Sequence, residues 1–152
     1  MEPEGMVHAL EEIHRVLRPD GTLIDIHPFA EPPLVKVIQN NRILFAEPKR
    51  EGDHEGIQSA DRAVAEVLGR KLFVAERNRD FDFFSYASSV AELRDFWDSY
   101  NAFNESPKEV ALLEYEDEVF ARAEDVLRGS GEDAEAVIHE RVGITRLTRV
   151  GR

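Results

Sequence analysis

The chain of 152 residues contains no cysteine. Disulfides, thiolate zinc sites and a cysteine nucleophile are therefore excluded. No apolar run approaches the roughly 18 residues that span a bilayer. Basic residues are scarce: 19 Lys and Arg stand against 31 Asp and Glu, for a net charge of −12. Such a surface repels nucleic-acid phosphates and anionic membranes, and neither is expected as a partner. The first residues, Met1-Glu2-Pro3-Glu4, are acidic, unlike a signal or transit peptide, so the cytoplasm is the expected location. Glycine-rich turns are equally scarce. The one G-x-G, Gly129-Ser130-Gly131, follows a helical pattern and reads as a helix stop, not a nucleotide loop. No P-loop and no Ser-His-Asp arrangement occurs.

What remains is a globular composition, 42% hydrophobic and 33% charged, in a length that suits a single domain over residues 1–152. Met6, Leu10, Ile13 and Leu17 recur at steps of four, three and four, which puts them on one helical face. Arg18-Pro19-Asp20-Gly21 ends that helix in a turn, and Thr22–His27 reads as a short strand. A proline-rich loop follows. Leu34–Glu47 carries two β-branched runs around Asn40-Asn41 and reads as a hairpin, with a helix as the competing assignment.

Residues 48–55 form a charged loop. Gly56–Arg70 has a buried stripe of Ile57, Ala60, Val64, Val67 and Leu68, with Gly69 at the expected left-handed cap. Lys71–Glu76 reads as a strand that the charged run Arg77–Asp82 interrupts, before Phe81–Tyr86 resumes it. Ser89-Val90-Ala91-Glu92 and Ser106-Pro107-Lys108-Glu109 are capping boxes that start two helices, the second running to Arg128. Acidic residues crowd the stretch from Glu105 to Arg141, which reads as a solvated helical face. Ala136–Val150 is the last strand, with a bend or bulge expected at Gly143.

The string Ala9-Leu10-Glu11-Glu12-Ile13-His14-Arg15-Val16-Leu17-Arg18-Pro19-Asp20-Gly21-Thr22-Leu23-Ile24 resembles one segment of class I S-adenosylmethionine-dependent methyltransferases. There a helix leads through R-V-L-(K/R)-P-G-G into the fifth strand of the sheet. Asp20 replaces the usual first glycine of that pattern. The resemblance implies an α/β fold: an incomplete Rossmann-like sheet with flanking helices. Thr22–His27, Leu72–Tyr86 and Val137–Arg149 would be its fifth, sixth and seventh strands, the last inserted antiparallel between the other two. The hairpin and the helix Pro107–Arg128 would be additions.

The family's cofactor site is an acidic residue with a G-x-G turn after the first strand, and it belongs to sequence that precedes the matched segment. No such motif occurs here, so no cofactor is expected for the chain alone. S-adenosylmethionine would bind only if another chain or upstream residues completed the fold.

Asp25 and His27 share one strand face, about 7 Å apart by the strand repeat. His27 lies where the resemblance would place the acceptor substrate, which makes the pair the candidate for acid–base chemistry. The plainer alternative is a locally hydrogen-bonded polar pair. Asp53-His54-Glu55 with His139 matches no zinc spacing and reads as loop. The aromatics of Phe81–Tyr86 and Phe96-Trp97 read as core, with an apolar ligand pocket as the alternative.

Three functions follow as expectations. The chain is a methyltransferase-like remnant without catalysis of its own, or half of an active methyltransferase completed by a cofactor-binding partner, or an oligomeric small-ligand-binding module. In a sheet that stops at Thr22–Ile26, that strand's free edge or adjoining face would pair with a second copy.

Overall fold

The computed structural model describes residues 3–49, 55–101 and 110–151. It is an α/β fold with four helices and a five-stranded open antiparallel sheet. In chain order the elements are α1 (Pro3–Val16), β1 (Thr22–Pro28), β2 (Leu34–Gln39), β3 (Arg42–Pro48), α2 (Glu55–Gly69), β4 (Phe73–Ala87), α3 (Val90–Asn101), α4 (Val110–Arg128) and β5 (Ala134–Arg149). The strand order is β1-β5-β2-β3, and β4 also pairs with β5. Contacts divide the chain into two compact units: residues 1–31, 53–81 and 141–152, and residues 32–52 and 82–140. Strands β4 and β5 contribute to both.

In the first unit β1 runs antiparallel to β5, with Thr22 opposite Thr148 and His27 opposite Gly143. The alternation of β1 turns Leu23 inward and leaves Ile24 and Ile26 exposed. Leu23, Leu147 and Phe73 pack with Leu10 and Ile13 of α1, with Leu17 just after it, and with Val64, Val67 and Leu68 of α2. The periodic stripes of both helices thus meet in one core. The turn after α1 is closed by Gly21 N–H donating to the Arg18 carbonyl at 2.8 Å, with Asp20 at φ 58°. Pro19 followed by a positive φ is the type II pattern. A Cβ on Gly21 would lie 2.7 Å from the Arg18 oxygen, so only glycine fits there.

In the second unit β2 and β3 form the expected hairpin. Asn40 and Asn41 both take positive φ, as a two-residue type I′ turn requires. Val35, Val37, Ala136 and Ile138 face Val90, Leu93 and Trp97 of the α3 segment and Val119, Phe120 and Ala123 of α4. Ser89 caps α3 as expected, accepting from the Glu92 N–H at 3.1 Å, while the Glu92 carboxylate accepts from the N–H of Ser88, one residue before the cap. The second capping box, Ser106–Glu109, lies outside the described residues.

Four local expectations are corrected. β4 is one continuous strand; the run Arg77–Asp82 does not break it, because Glu76 pairs with Arg146 and Asp80 with Arg141 across the ladder. The left-handed cap of α2 is Lys71 (φ 59°), not Gly69. Leu72 N–H reaches the Val67 carbonyl and Lys71 N–H the Leu68 carbonyl, a Schellman motif whose register puts Gly69 still inside the helix. β5 passes Gly143 without a register shift. The missing side chain instead makes room for the Phe29 ring, 3.5 Å from where a Cβ would sit. Residue 49, read as part of a charged loop, is fully buried.

Candidate functional site

The predicted pair Asp25 and His27 does come together, and α2 adds a third member. His27 Nε2 lies 2.9 Å from Asp61 Oδ1 in a hydrogen bond. His27 Nδ1 lies 3.1 Å from Asp25 Oδ2, a charge contact rather than a well-directed hydrogen bond. Burial alone would depress the imidazole pKa. The Asp61 hydrogen bond and the Asp25 charge outweigh it, and the net shift is upward. One ring nitrogen is hydrogen-bonded, the other faces a carboxylate, and the two acids favour the protonated ring. That suits a clamp between β1 and α2 better than a general base, which needs a free lone pair. Nearby, the Arg141 guanidinium lies 5.2 Å from the Phe29 ring and pairs with Asp80 at 2.5 Å.

In the second unit the hairpin, β4 and the start of β5 form a groove of about 550 Å³. Lys36, Ile38, Ile43, Phe84, Tyr86 and Glu135 line it. The register explains this: Lys36 is opposite Val137, Ile38 opposite Glu135, and Ile38 also opposite Ile43, all on the face away from Val35 and Val37. Lys36 is 8% exposed, and its Nζ lies 5.8 Å from the Phe84 ring centroid. Phe84 stacks on His139 at 4.6 Å, and His139 Nε2 bonds Asp82 at 2.8 Å. Among the described residues no carboxylate comes within ion-pair distance of Lys36. Phe81, Phe83, Phe84 and Tyr86 are all exposed, contrary to the expectation that they belong to the core. Trp97 is core as expected, while Phe96 is exposed.

A third polar cluster escaped the sequence reading. Lys49 Nζ pairs with Glu116 Oε1 at 2.5 Å and lies 4.4 Å from the Trp97 ring. Lys49, Glu116 and Trp97 are all buried. Glu116 carried a usable signal: it sits four residues after Leu112 and three before Val119, inside the apolar stripe of α4 rather than on its solvated face. Lys49 carried none.

Asp53 and His54 lie outside the described residues, and His139 engages Asp82 instead. Among the described residues no three His, Asp or Glu side chains converge on a metal-sized site, and no helix is long and apolar enough to cross a membrane. Comparison of the chain with family models, with curated proteins and with solved structures finds no match in any of the three.

Proposed function

We propose that the chain is a cytoplasmic, methyltransferase-like protein corresponding to the part of a class I fold that follows the cofactor-binding half, and that it does not catalyse alone. One observation carries the reading. The helix–turn–strand whose sequence resembles that family leads into β1, and β5 lies antiparallel between β1 and β4. That is the relation the fifth, seventh and sixth strands have in the family, in an incomplete Rossmann-like sheet to which the hairpin β2–β3 is added. The left-handed φ of Asp20 supports it further, since the family pattern has glycine at that position and Asp tolerates the conformation better than most residues.

The acidic G-x-G cofactor motif is absent from these residues. S-adenosylmethionine binding then requires a cofactor-binding partner chain or further sequence. Self-association is the second part of the proposal. Among the described residues β1 has β5 as its one hydrogen-bonded neighbour, and Ile24 and Ile26 are about half exposed. A homodimer through Thr22–Ile26 would cover both.

Calorimetric titration of the purified chain with S-adenosylmethionine tests the first part. No saturable heat is expected; tight binding would overturn the claim that the cofactor half lies elsewhere. A second reading, a small-ligand-binding module, is favoured by the groove lined by Lys36, whose side chain is largely buried and has no carboxylate partner among the described residues.

A further inference from the structure

We infer that the groove formed by the hairpin, β4 and the first residues of β5 is a binding site for a small aromatic zwitterion of the α-amino-acid type. The inference rests on the ligand-binding reading and specifies the chemistry of its ligand.

The argument begins with Lys36. A lysine can bury its apolar stem while keeping its charged end where it meets water or a ligand. Lys36 is 8% exposed, yet the described residues offer it only the face of Phe84. The ring face attracts the charge without using up its N–H donors, which stay available to a ligand in the groove. The supporting layer is well anchored: Phe84 stacks on His139, and His139 is held by Asp82. Lys36 is thus presented to the groove rather than buried by accident.

The opposite pole is Glu135. Because Lys36 is opposite Val137 and Glu135 opposite Ile38, the two charges share one sheet face as diagonal neighbours. They do not bond each other; the groove lies over them both. An α-amino acid carries its carboxylate and ammonium on a single carbon. It can therefore place the first against Lys36 and the second against Glu135, with Asp133 adding negative potential at the same end. The apolar surface left over is Ile38, Ile43 and Tyr86, the last two more than half exposed. A flat side chain laid across them buries area that no residue of the chain covers. A ligand with a carboxylate alone would meet Asp133 and Glu135 unfavourably, and an amine alone would leave Lys36 unpaired.

Titration of the isotopically labelled full chain, followed by amide NMR and calorimetry, tests this with L-phenylalanine, phenylacetate, phenethylamine and glycine as probes. L-phenylalanine should saturate and shift the amides of Lys36, Tyr86 and Glu135. The three partial probes should bind at least tenfold more weakly. Lys36→Met should cost L-phenylalanine at least tenfold and leave phenethylamine unchanged. Tyr86→Ala, at an exposed position that cannot disturb the core, should weaken L-phenylalanine while leaving glycine as it was. Phenylacetate or phenethylamine binding as tightly as L-phenylalanine would overturn the zwitterion inference and leave the ligand-binding reading standing. Absence of saturable binding by any probe would overturn both.

Discussion

Lys49 Nζ sits 2.5 Å from Glu116 Oε1, and both side chains are buried. The pair ties the residue after β3 to the middle of α4. Two buried charges repay their desolvation only together. Glu116→Ala should therefore cost about 3–5 kcal/mol, because it removes the carboxylate that faces a buried ammonium. Lys49→Met combined with Glu116→Leu should recover most of that loss. Urea unfolding followed by Trp97 fluorescence reads both, since the chain has one tryptophan and it lies beside Lys49. A single-variant cost below about 1 kcal/mol, the value of an exposed pair, would show that the charge is compensated elsewhere.

The clamp at His27 makes stability depend on pH with a definite sign. The folded pKa is raised above the unfolded value of about 6.5. The contribution is complete below pH of about 6.5 and is lost as pH rises through the folded pKa. Wild-type stability should thus fall across that window, and His27→Gln should flatten the fall. Urea midpoints at closely spaced pH values check it; an unchanged slope in the variant would remove His27 as the source.

Backbone conformation gives a third prediction. Lys71 occupies the left-handed region at the α2 cap, where a side chain is strained. Lys71→Gly should stabilise the protein by about 0.5–1 kcal/mol. Asp20→Gly should change stability by less than about 0.5 kcal/mol, since Asp tolerates that region. Gly21→Ala should cost about 1–3 kcal/mol by driving a methyl into the Arg18 carbonyl. The ranking of the three unfolding midpoints is the readout.

If β1 is the self-association edge, light scattering should find a dimer at micromolar concentration. Ile24→Lys with Ile26→Lys should convert it to a monomer. Both residues are exposed, so the isolated chain's secondary structure by circular dichroism should persist. A wild-type monomer would remove this part of the proposal.

Much of the fold was legible because its signals are local. The stripe Leu10–Ile13–Leu17, the pair Asn40-Asn41 and the box Ser89–Glu92 each specify a conformation through neighbours within a few residues. β4 was not legible as one strand, because residues 74 to 84 are exposed on both faces and show no alternation. The α2 cap was misassigned because glycine preference marks a region, while the last hydrogen bonds choose the residue. At the sites the same divide holds. Asp25 and His27 share a strand, so their approach followed from the period of two. Asp61, 34 residues from His27, and Lys49, 67 residues from Glu116, were brought in by tertiary packing that leaves no local trace.

The pairing of Thr22 with Thr148 has a consequence in time. β1 is made long before its ladder partner near residue 148. Closing so long a loop costs entropy before any contact rewards it, which favours slow folding. At ribosomal speeds of about 5–20 residues per second, β1 waits several seconds with its backbone groups unpaired by β5. In that interval α1 docked on α2 can shelter the Leu23 face, and β5 acts as the latch that ends the wait.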